Sequence, residues 1–70
     1  MIQSNQREFL INHIVDKMTK YLMDDYGLDM PAALKTVYES AIFEKLHDEE
    51  LELHAQSPSY LYEFLKREIS

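Results

Sequence analysis

The chain has 70 residues and no cysteine, and thirteen acidic residues against seven lysines and arginines give it a formal net charge of −6. This length predicts one domain over residues 1–70, and the lack of cysteine excludes disulfides and thiolate metal sites. The negative charge disfavours phosphate backbones and anionic lipid surfaces, so we expect neither nucleic acid nor membrane as a partner.

The first predicted element is a long amphipathic helix that begins near Asn5. Asn5 is a good N-cap, and Glu8 lies three residues later, where the carboxylate of a capping box reaches back. At about 100° per residue, one arc of about 160° contains eight apolar side chains: Leu10, Ile11, Ile14, Val15, Met18, Tyr21, Leu22 and Tyr26. Phe9 and Met23 lie off this arc. Gly27, the only glycine, follows directly and is typical of the left-handed C′ residue that ends a helix.

The second predicted helix begins after Asp29, which can cap it, and has Pro31 in its first turn. Its apolar side chains share one face: Met30, Leu34, Val37, Tyr38, Ala41 and Ile42.

The end of the second helix has two interpretations. It can continue to about Leu46, or it can break at Ser40, which would then cap a short third helix from Ala41 to His47. We favour the break, or a kink at the same place, because Phe43 and Leu46 point away from the apolar stripe of the preceding residues.

The stretch from 47 to 56 is ambiguous, because residues 50–54 alternate polar and apolar as a strand does, whereas Glu and Leu favour helix. We predict a loop with one irregular turn. The last helix is predicted to have Ser57 as its N-cap and Pro58 at its first position. Its apolar stripe consists of Leu61, Phe64, Leu65 and Ile69. Tyr60 and Tyr62 flank this stripe. Three or four amphipathic helices joined by short turns define an all-α small bundle.

No pattern in the sequence indicates catalysis, a cofactor or a metal site. Histidine ligands on a helix normally lie three or four residues apart, but His13 has no such partner, and His47 and His54 are seven residues apart across the predicted loop. The acidic run at 48–52 is typical of a solvated surface, since a short chain has little room for the cleft that shifts the pKa of a catalytic carboxylate. The serines are explained as caps, turns and surface residues, so we predict that the protein is not an enzyme.

The sequence also predicts a cytoplasmic protein. No apolar run reaches the ~18 residues that a membrane span needs. Residues 1–5 lack the basic start and the apolar stretch of a signal peptide.

The main alternative function is a small dimeric DNA-binding transcriptional regulator, because the second and third helices could form a helix-turn-helix. A recognition helix normally carries Arg, Lys, Asn or Gln toward the bases, whereas residues 40–47 offer only Lys45, and Arg7 and Arg67 lie near opposite ends of the chain. Convergence of the seven basic side chains on one face beside an exposed helix would favour DNA binding, and scatter would argue against it.

The composition favours a protein that binds itself and possibly another protein. Hydrophobic residues make up 46% of the chain, including five Tyr, three Phe and four Met, and Tyr and Met are enriched at interfaces. A domain of this size without disulfides has few ways other than association to enlarge its buried surface. We expect a homodimer with the first helix contributing to the interface. The competing interpretation is a compact monomer in which the other helices wrap both flanks of that helix.

The C-terminal half contains a three-part pattern: Phe-Glu-Lys-Leu at 43–46, an acidic turn followed by Leu53, and Gln-Ser-Pro-Ser-Tyr-Leu-Tyr-Glu-Phe-Leu at 56–65. Over residues 40–65 this pattern resembles a group of small bacterial helical proteins of unknown function, in which the turn has a Thr-Gly-Leu-Tyr core. The chain departs from the group where Leu51 and Glu52 replace Thr-Gly and His54 replaces Tyr. Members are often encoded beside toxin-like genes, some similar to ADP-ribosyltransferases. The resemblance therefore implies an antitoxin-like or accessory partner protein, and it carries over no catalytic residue.

Overall fold

The computed structural model describes residues 4–48 and 50–69, with side chains from residue 7 onward. Within these ranges the chain forms four α-helices: α1 Ser4–Tyr26, α2 Met30–Tyr38, α3 Ala41–Leu46 and α4 Pro58–Ile69. A 3-10 turn at Leu53–Ala55 precedes α4, and the described residues contain no strand. The predicted all-α small bundle is confirmed. None of the described helices is long and apolar enough to cross a membrane.

Helix α1 is the longest element and forms the spine of the bundle. Its 23 residues span about 34 Å at 1.5 Å per residue, which accounts for most of the 39 Å long axis of the molecule. Helices α2 and α4 pack against α1, and α3 packs against both α2 and α4. The predicted N-cap at Asn5 is wrong, because the helix already includes Ser4; the side chain of Asn5 lies outside the described residues. At the other end Gly27 has φ +68° and donates its N–H to the carbonyl of Met23 at 3.1 Å, as predicted for a C′ glycine.

The boundaries of α2 and α3 follow from side-chain caps. The carboxylate of Asp29 accepts the N–H of Ala32 at 3.0 Å, which confirms the predicted start of α2. The predicted break at Ser40 is also confirmed: its hydroxyl donates to the carbonyl of Val37 at 2.6 Å and accepts the N–H of Phe43 at 3.2 Å. One buried hydroxyl therefore ends α2 and begins α3.

The start of α3 is also held from the far end of the chain. The two carboxylate oxygens of Glu68, in the last turn of α4, accept the N–H groups of Ala41 at 2.7 Å and Ile42 at 2.9 Å. These N–H groups belong to the first turn of α3 and have no partner within the helix. Glu68 thus joins the end of α4 to the start of α3.

The predicted loop and irregular turn are observed between α3 and α4. The 3-10 turn at Leu53–Ala55 follows Glu52, which has a left-handed backbone with φ 51°. Ser57 is the N-cap of α4 as predicted, since its hydroxyl accepts the N–H of Tyr60 at 3.2 Å. The described residues of this stretch, 47–48 and 50–56, thus form turns and no strand.

The core combines the inner faces of all four helices, and its buried members are aliphatic apart from Met18 and Tyr62. It contains Ile11, Ile14, Val15, Met18, Leu22, Ala33, Val37, Ile42, Leu46, Leu61, Tyr62 and Leu65. The predicted arc of α1 supplies five of these, whereas Tyr26, at the end of that arc, is exposed. Because α2 and α4 cover the arc within one chain, its width is explained without a second copy.

The inner face of α2 differs from the predicted one. Ala33 and Val37 are buried, but Met30 and Tyr38 are exposed. The physical reason is that α2 has only nine residues and contributes its fully buried Ala33 and Val37 to the core, which leaves Met30 and Tyr38 at its two ends outside. Tyr38 instead packs edge-on against Phe43, with ring centroids 5.0 Å apart.

The inner face of α4 is also rotated from the predicted stripe. Tyr62 is buried with Leu61 and Leu65, whereas Phe64 and Ile69 are exposed. Tyr62 tolerates burial because its hydroxyl donates to the carboxylate of Asp25 at 2.8 Å. Burial, together with the hydrogen bond and the negative charge of Asp25, holds the pKa of Tyr62 well above its ordinary value. The hydrogen bond between Tyr62 and Asp25 thus holds α4 against the end of α1.

Candidate functional site: an apolar groove beside the last helix

Helix α4 has a second apolar edge that does not face the core. Tyr60 and Phe64 are four residues apart, so they lie together on the helix surface. Their rings meet edge to face, with centroids 5.2 Å apart and an interplanar angle of 82°. Both side chains are exposed, whereas Leu61 and Leu65, one position later in each case, are buried. The rotation of α4 that buries Tyr62 is therefore what turns Tyr60 and Phe64 outward.

This edge forms one wall of a hollow with a volume of about 320 Å³, hereafter the apolar groove. Three segments contribute two residues each: α3, the loop before α4, and α4 itself. The lining residues are Ile42, Lys45, Leu51, Leu53, Tyr60 and Phe64. Ile42 belongs to the core and Leu53 packs against it, so the floor of the groove is continuous with the core. At the rim, Leu51 is 48% exposed and Tyr60 is 50% exposed.

The loop that carries Leu51 is shaped by short-range hydrogen bonds. Asp48 accepts the N–H of Glu50 on its carboxylate at 2.9 Å and the N–H of Leu51 on its carbonyl at 3.2 Å. The left-handed backbone of Glu52 then reverses the chain into the 3-10 turn. Together these turns place Leu51 and Leu53, which are two residues apart, along the same wall of the groove.

Charged residues lie in and next to the segments that line the apolar groove. On the helical walls, Lys45 lines the groove, and the guanidinium of Arg67 lies 5.5 Å from the ring centroid of Phe64. In the loop, Glu50 and Glu52 flank Leu51 in sequence, and both are exposed. Lys45 is thus the one charged residue that lines the groove itself.

The chemistry that this arrangement offers is burial of apolar surface with charged groups at the edge. The lining is aliphatic and aromatic apart from Lys45 and the hydroxyl of Tyr60. Apolar area removed from water contributes about 25 cal/mol per Å², so a partner that covered the rim would gain from Leu51, Tyr60 and Phe64 at once. The groove is therefore an exposed and mainly apolar hollow.

The histidines are not brought together. In the described part of the chain, no group of three or more His, Asp or Glu side chains is placed to hold a metal ion. His13 is exposed, and the ring of His47 packs on Phe43 with its Nδ1 3.1 Å from the carbonyl of that residue. His47 also lines a second, smaller hollow of about 140 Å³ with Glu8, Ile11 and Asn12.

The seven basic side chains come from all four helices. They are Arg7, Lys17 and Lys20 on α1, Lys35 on α2, Lys45 on α3, and Lys66 and Arg67 on α4. Lys66 pairs with Glu63 at 3.4 Å and lies 5.3 Å from the ring centroid of Tyr62. Lys45 lines the apolar groove, and Arg67 lies next to Phe64, one of its lining residues.

Sequence reasoning did not find the apolar groove. Tyr60 was expected beside the core stripe and Phe64 within it, and Leu51 lay in the ambiguous stretch. The signal that was present is the pair Tyr60 and Phe64 at a spacing of four, offset by one position from Leu61 and Leu65. Two adjacent apolar pairs on one helix indicate two apolar edges, and only one of them can face the core.

The fold and the groove define this chain as a small all-α bundle with an exposed apolar groove. No family model, curated protein or solved structure matches the chain.

Proposed function

We propose that this chain is a non-enzymatic, cytoplasmic protein-interaction module that binds through the apolar groove. The observation that carries the proposal is the groove itself: three large side chains, Leu51, Tyr60 and Phe64, remain exposed around one hollow. Contiguous exposed apolar surface with a polar rim is characteristic of protein-binding sites. The mainly aliphatic and aromatic lining suits binding rather than catalysis, which draws on several positioned polar groups.

The more specific role, antitoxin-like or accessory to a toxin-like partner, rests on the resemblance of residues 40–65 to the group of small bacterial proteins. One structural observation supports that resemblance. Position 52, where the group has glycine, has a left-handed backbone with φ 51° although the residue here is Glu52. Glycine adopts this conformation without the steric cost that other residues incur. The turn thus has the backbone that the glycine of the group would favour.

The test is capture of the tagged chain from its native host, with a groove variant and a matched control. Tyr60→Asp puts a carboxylate on the rim of the groove, and Tyr26→Asp makes the same change at a tyrosine of similar exposure, 46% against 50%, at the end of α1. We expect one stoichiometric protein partner that resists nuclease treatment and that is retained by Tyr26→Asp and lost by Tyr60→Asp.

Three results would contradict the proposal. Equal retention by both variants would move the contact away from the groove. Recovery of nucleic acid, with every captured protein lost after nuclease treatment, would favour the DNA-binding alternative. Capture of no specific macromolecule by the wild-type chain would remove the basis for an interaction module. Circular dichroism of both variants establishes that each remains helical.

A further inference from the structure

We propose that the apolar groove binds a small organic acid, that is, a molecule with an apolar chain or ring and one carboxylate, of about the size of a medium-chain fatty acid. The proposal goes beyond the proposed function, since it concerns a small molecule and stands whether or not a protein partner also uses the groove.

The size of the groove suits a small ligand. Its volume of about 320 Å³ lies at the lower end of the range of about 300–1,000 Å³ that is usual for ligand pockets. The hollow beside His47 measures about 140 Å³ and is lined in part by Glu8, so it is both too small and of the wrong charge for the same ligand. The volume of the groove therefore favours a short chain or a single ring over a larger cofactor.

The lining of the groove offers an apolar wall to the chain of such a ligand. Ile42 belongs to the core and Leu53 packs against it, so a ligand chain on this floor would extend the core outward. Tyr60 and Phe64, which meet edge to face, add an aromatic wall. Each methylene group that leaves water for this surface should tighten binding by up to about fourfold.

The charge of the ligand follows from Lys45, the one charged residue that lines the groove. Lys45 lies in the last turn of α3, and no described carboxylate forms an ion pair with it. The guanidinium of Arg67 adds a second positive charge 5.5 Å from the ring centroid of Phe64, another lining residue. An apolar pocket with one or a few charged groups is typical of small-molecule sites. An apolar carboxylate complements both features, because its chain fits the lining and its charge is opposite to that of Lys45.

The remaining charges of the chain act in the opposite sense. The net charge of −6 attracts cations to the molecule as a whole, and Glu50 and Glu52 flank the lining residue Leu51 in sequence. A preference for an anion is thus the reverse of what the overall charge predicts. The sign of the preferred ligand therefore tests whether Lys45 determines what the groove binds.

The experiment is a titration of the isotope-labelled chain with octanoate, octylamine and octanol at neutral pH, followed by the chemical shifts of the backbone amides. The three probes share one chain length and differ in charge. We expect octanoate to shift the amide signals of Leu51, Leu53, Tyr60 and Phe64 and to leave that of Lys35 in place. Octanoate should bind about fivefold more tightly than octylamine, which corresponds to the upper range for an exposed ion pair. Hexanoate, with two fewer methylene groups, should bind more weakly than octanoate by up to about fifteenfold.

Three variants separate the role of Lys45 from general effects of charge and of apolar surface. Lys45→Gln should weaken the binding of octanoate by about fivefold and leave that of octanol unchanged. Lys35→Gln makes the same change of net charge on α2, which does not line the groove, and should leave all affinities unchanged. Leu51→Ser should weaken octanoate and octanol alike. All three side chains are exposed, so the helical circular dichroism of each variant should match that of the wild type.

Three results would overturn the proposal: no shift of the groove signals at millimolar octanoate, tighter binding of octylamine than of octanoate, or equal affinity of Lys45→Gln and the wild type for octanoate. Failure of the proposed function is distinguishable from these results. Octanoate binding without capture of any host protein would contradict the proposed function alone, whereas a host protein lost by Tyr60→Asp, with no octanoate binding, would overturn this proposal alone.

Discussion

Removal of the Glu68 carboxylate tests whether α3 depends on α4. In Glu68→Ala, the N–H groups of Ala41 and Ile42 lose acceptors at 2.7 Å and 2.9 Å. Buried hydrogen bonds to a charged group contribute about 1.5–3 kcal/mol each, but Glu68 is exposed and water can replace part of its contribution. The range for a helix N-cap, about 0.5–2 kcal/mol, is therefore the better guide. We expect Glu68→Ala to lower the free energy of unfolding by about 1–2 kcal/mol.

The assay is urea unfolding followed by far-ultraviolet circular dichroism, at one fixed protein concentration because association would shift the midpoint. For a small domain the dependence of the free energy on urea is about 1 kcal/mol per molar, so the midpoint should fall by roughly 1–2 M. Glu68→Gln keeps one acceptor oxygen and should lose about half as much. The control, Glu63→Ala, removes a carboxylate from the same helix that forms only an exposed ion pair with Lys66. Its effect on the free energy of unfolding should be small.

Equal midpoints for Glu68→Ala and Glu63→Ala would refute the reasoning, because they would show that water satisfies the first turn of α3 as well as Glu68 does. A fall in the urea dependence without a fall in the midpoint would instead indicate a change in the denatured or native compactness.

Four further substitutions test the core, a cap, a strained turn and a buried phenol. Ile14→Asp should unfold the domain and abolish its helical circular dichroism, because Ile14 is only 2% exposed. An unpaired buried carboxylate costs several kcal/mol, which is comparable with the whole stability of a small domain; an unchanged melting temperature would contradict this prediction. Ser57→Ala should cost about 1 kcal/mol through loss of the α4 cap, whereas Ser59→Ala should cost little, so equal losses in urea would place the cap elsewhere. Glu52→Gly should raise the urea midpoint by relieving about 1 kcal/mol of left-handed strain, and a lower midpoint would count against that strain. Tyr62→Phe should lower the free energy of unfolding by about 1 kcal/mol at neutral pH. Above pH 10.0, the ordinary pKa of tyrosine, the wild type should lose more stability than the variant, because the phenol stays protonated in the native state and ionises in the unfolded state. Equal losses of stability at alkaline pH would refute the raised pKa of Tyr62.

The parts of the fold that were predicted correctly depend on contacts between near neighbours in sequence. The caps at Asp29, Ser40 and Ser57 each bond a backbone N–H three residues later, and the left-handed Gly27 closes on a residue four positions earlier. Such contacts are encoded in a few adjacent residues, so the sequence pattern suffices to predict them.

The parts that were not predicted depend on residues far apart in the chain. The inward rotation of Tyr62 requires Asp25, which is 37 residues away, and no property of α4 alone distinguishes Tyr62 from Phe64 as the buried ring. The apolar groove follows from that rotation and from the left-handed turn at Glu52. Because residues other than glycine rarely adopt a left-handed backbone, the sequence does not predict this turn. Its six lining residues come from three segments, so it exists only in the assembled bundle.

The hydrogen bonds between Glu68 and the start of α3 also connect the last turn of α4 to the groove, because Ile42 lines it. Helix α3 has six residues, well below the ~12–15 at which an isolated helix becomes even marginally stable in water. Its first N–H groups are held by a residue 26 and 27 positions later in the chain. Fraying of the last turn of α4 would therefore remove two acceptors from the start of α3, next to Ile42, which lines the groove. The last turn of α4 thus contributes to the stability of a groove wall that it does not itself line.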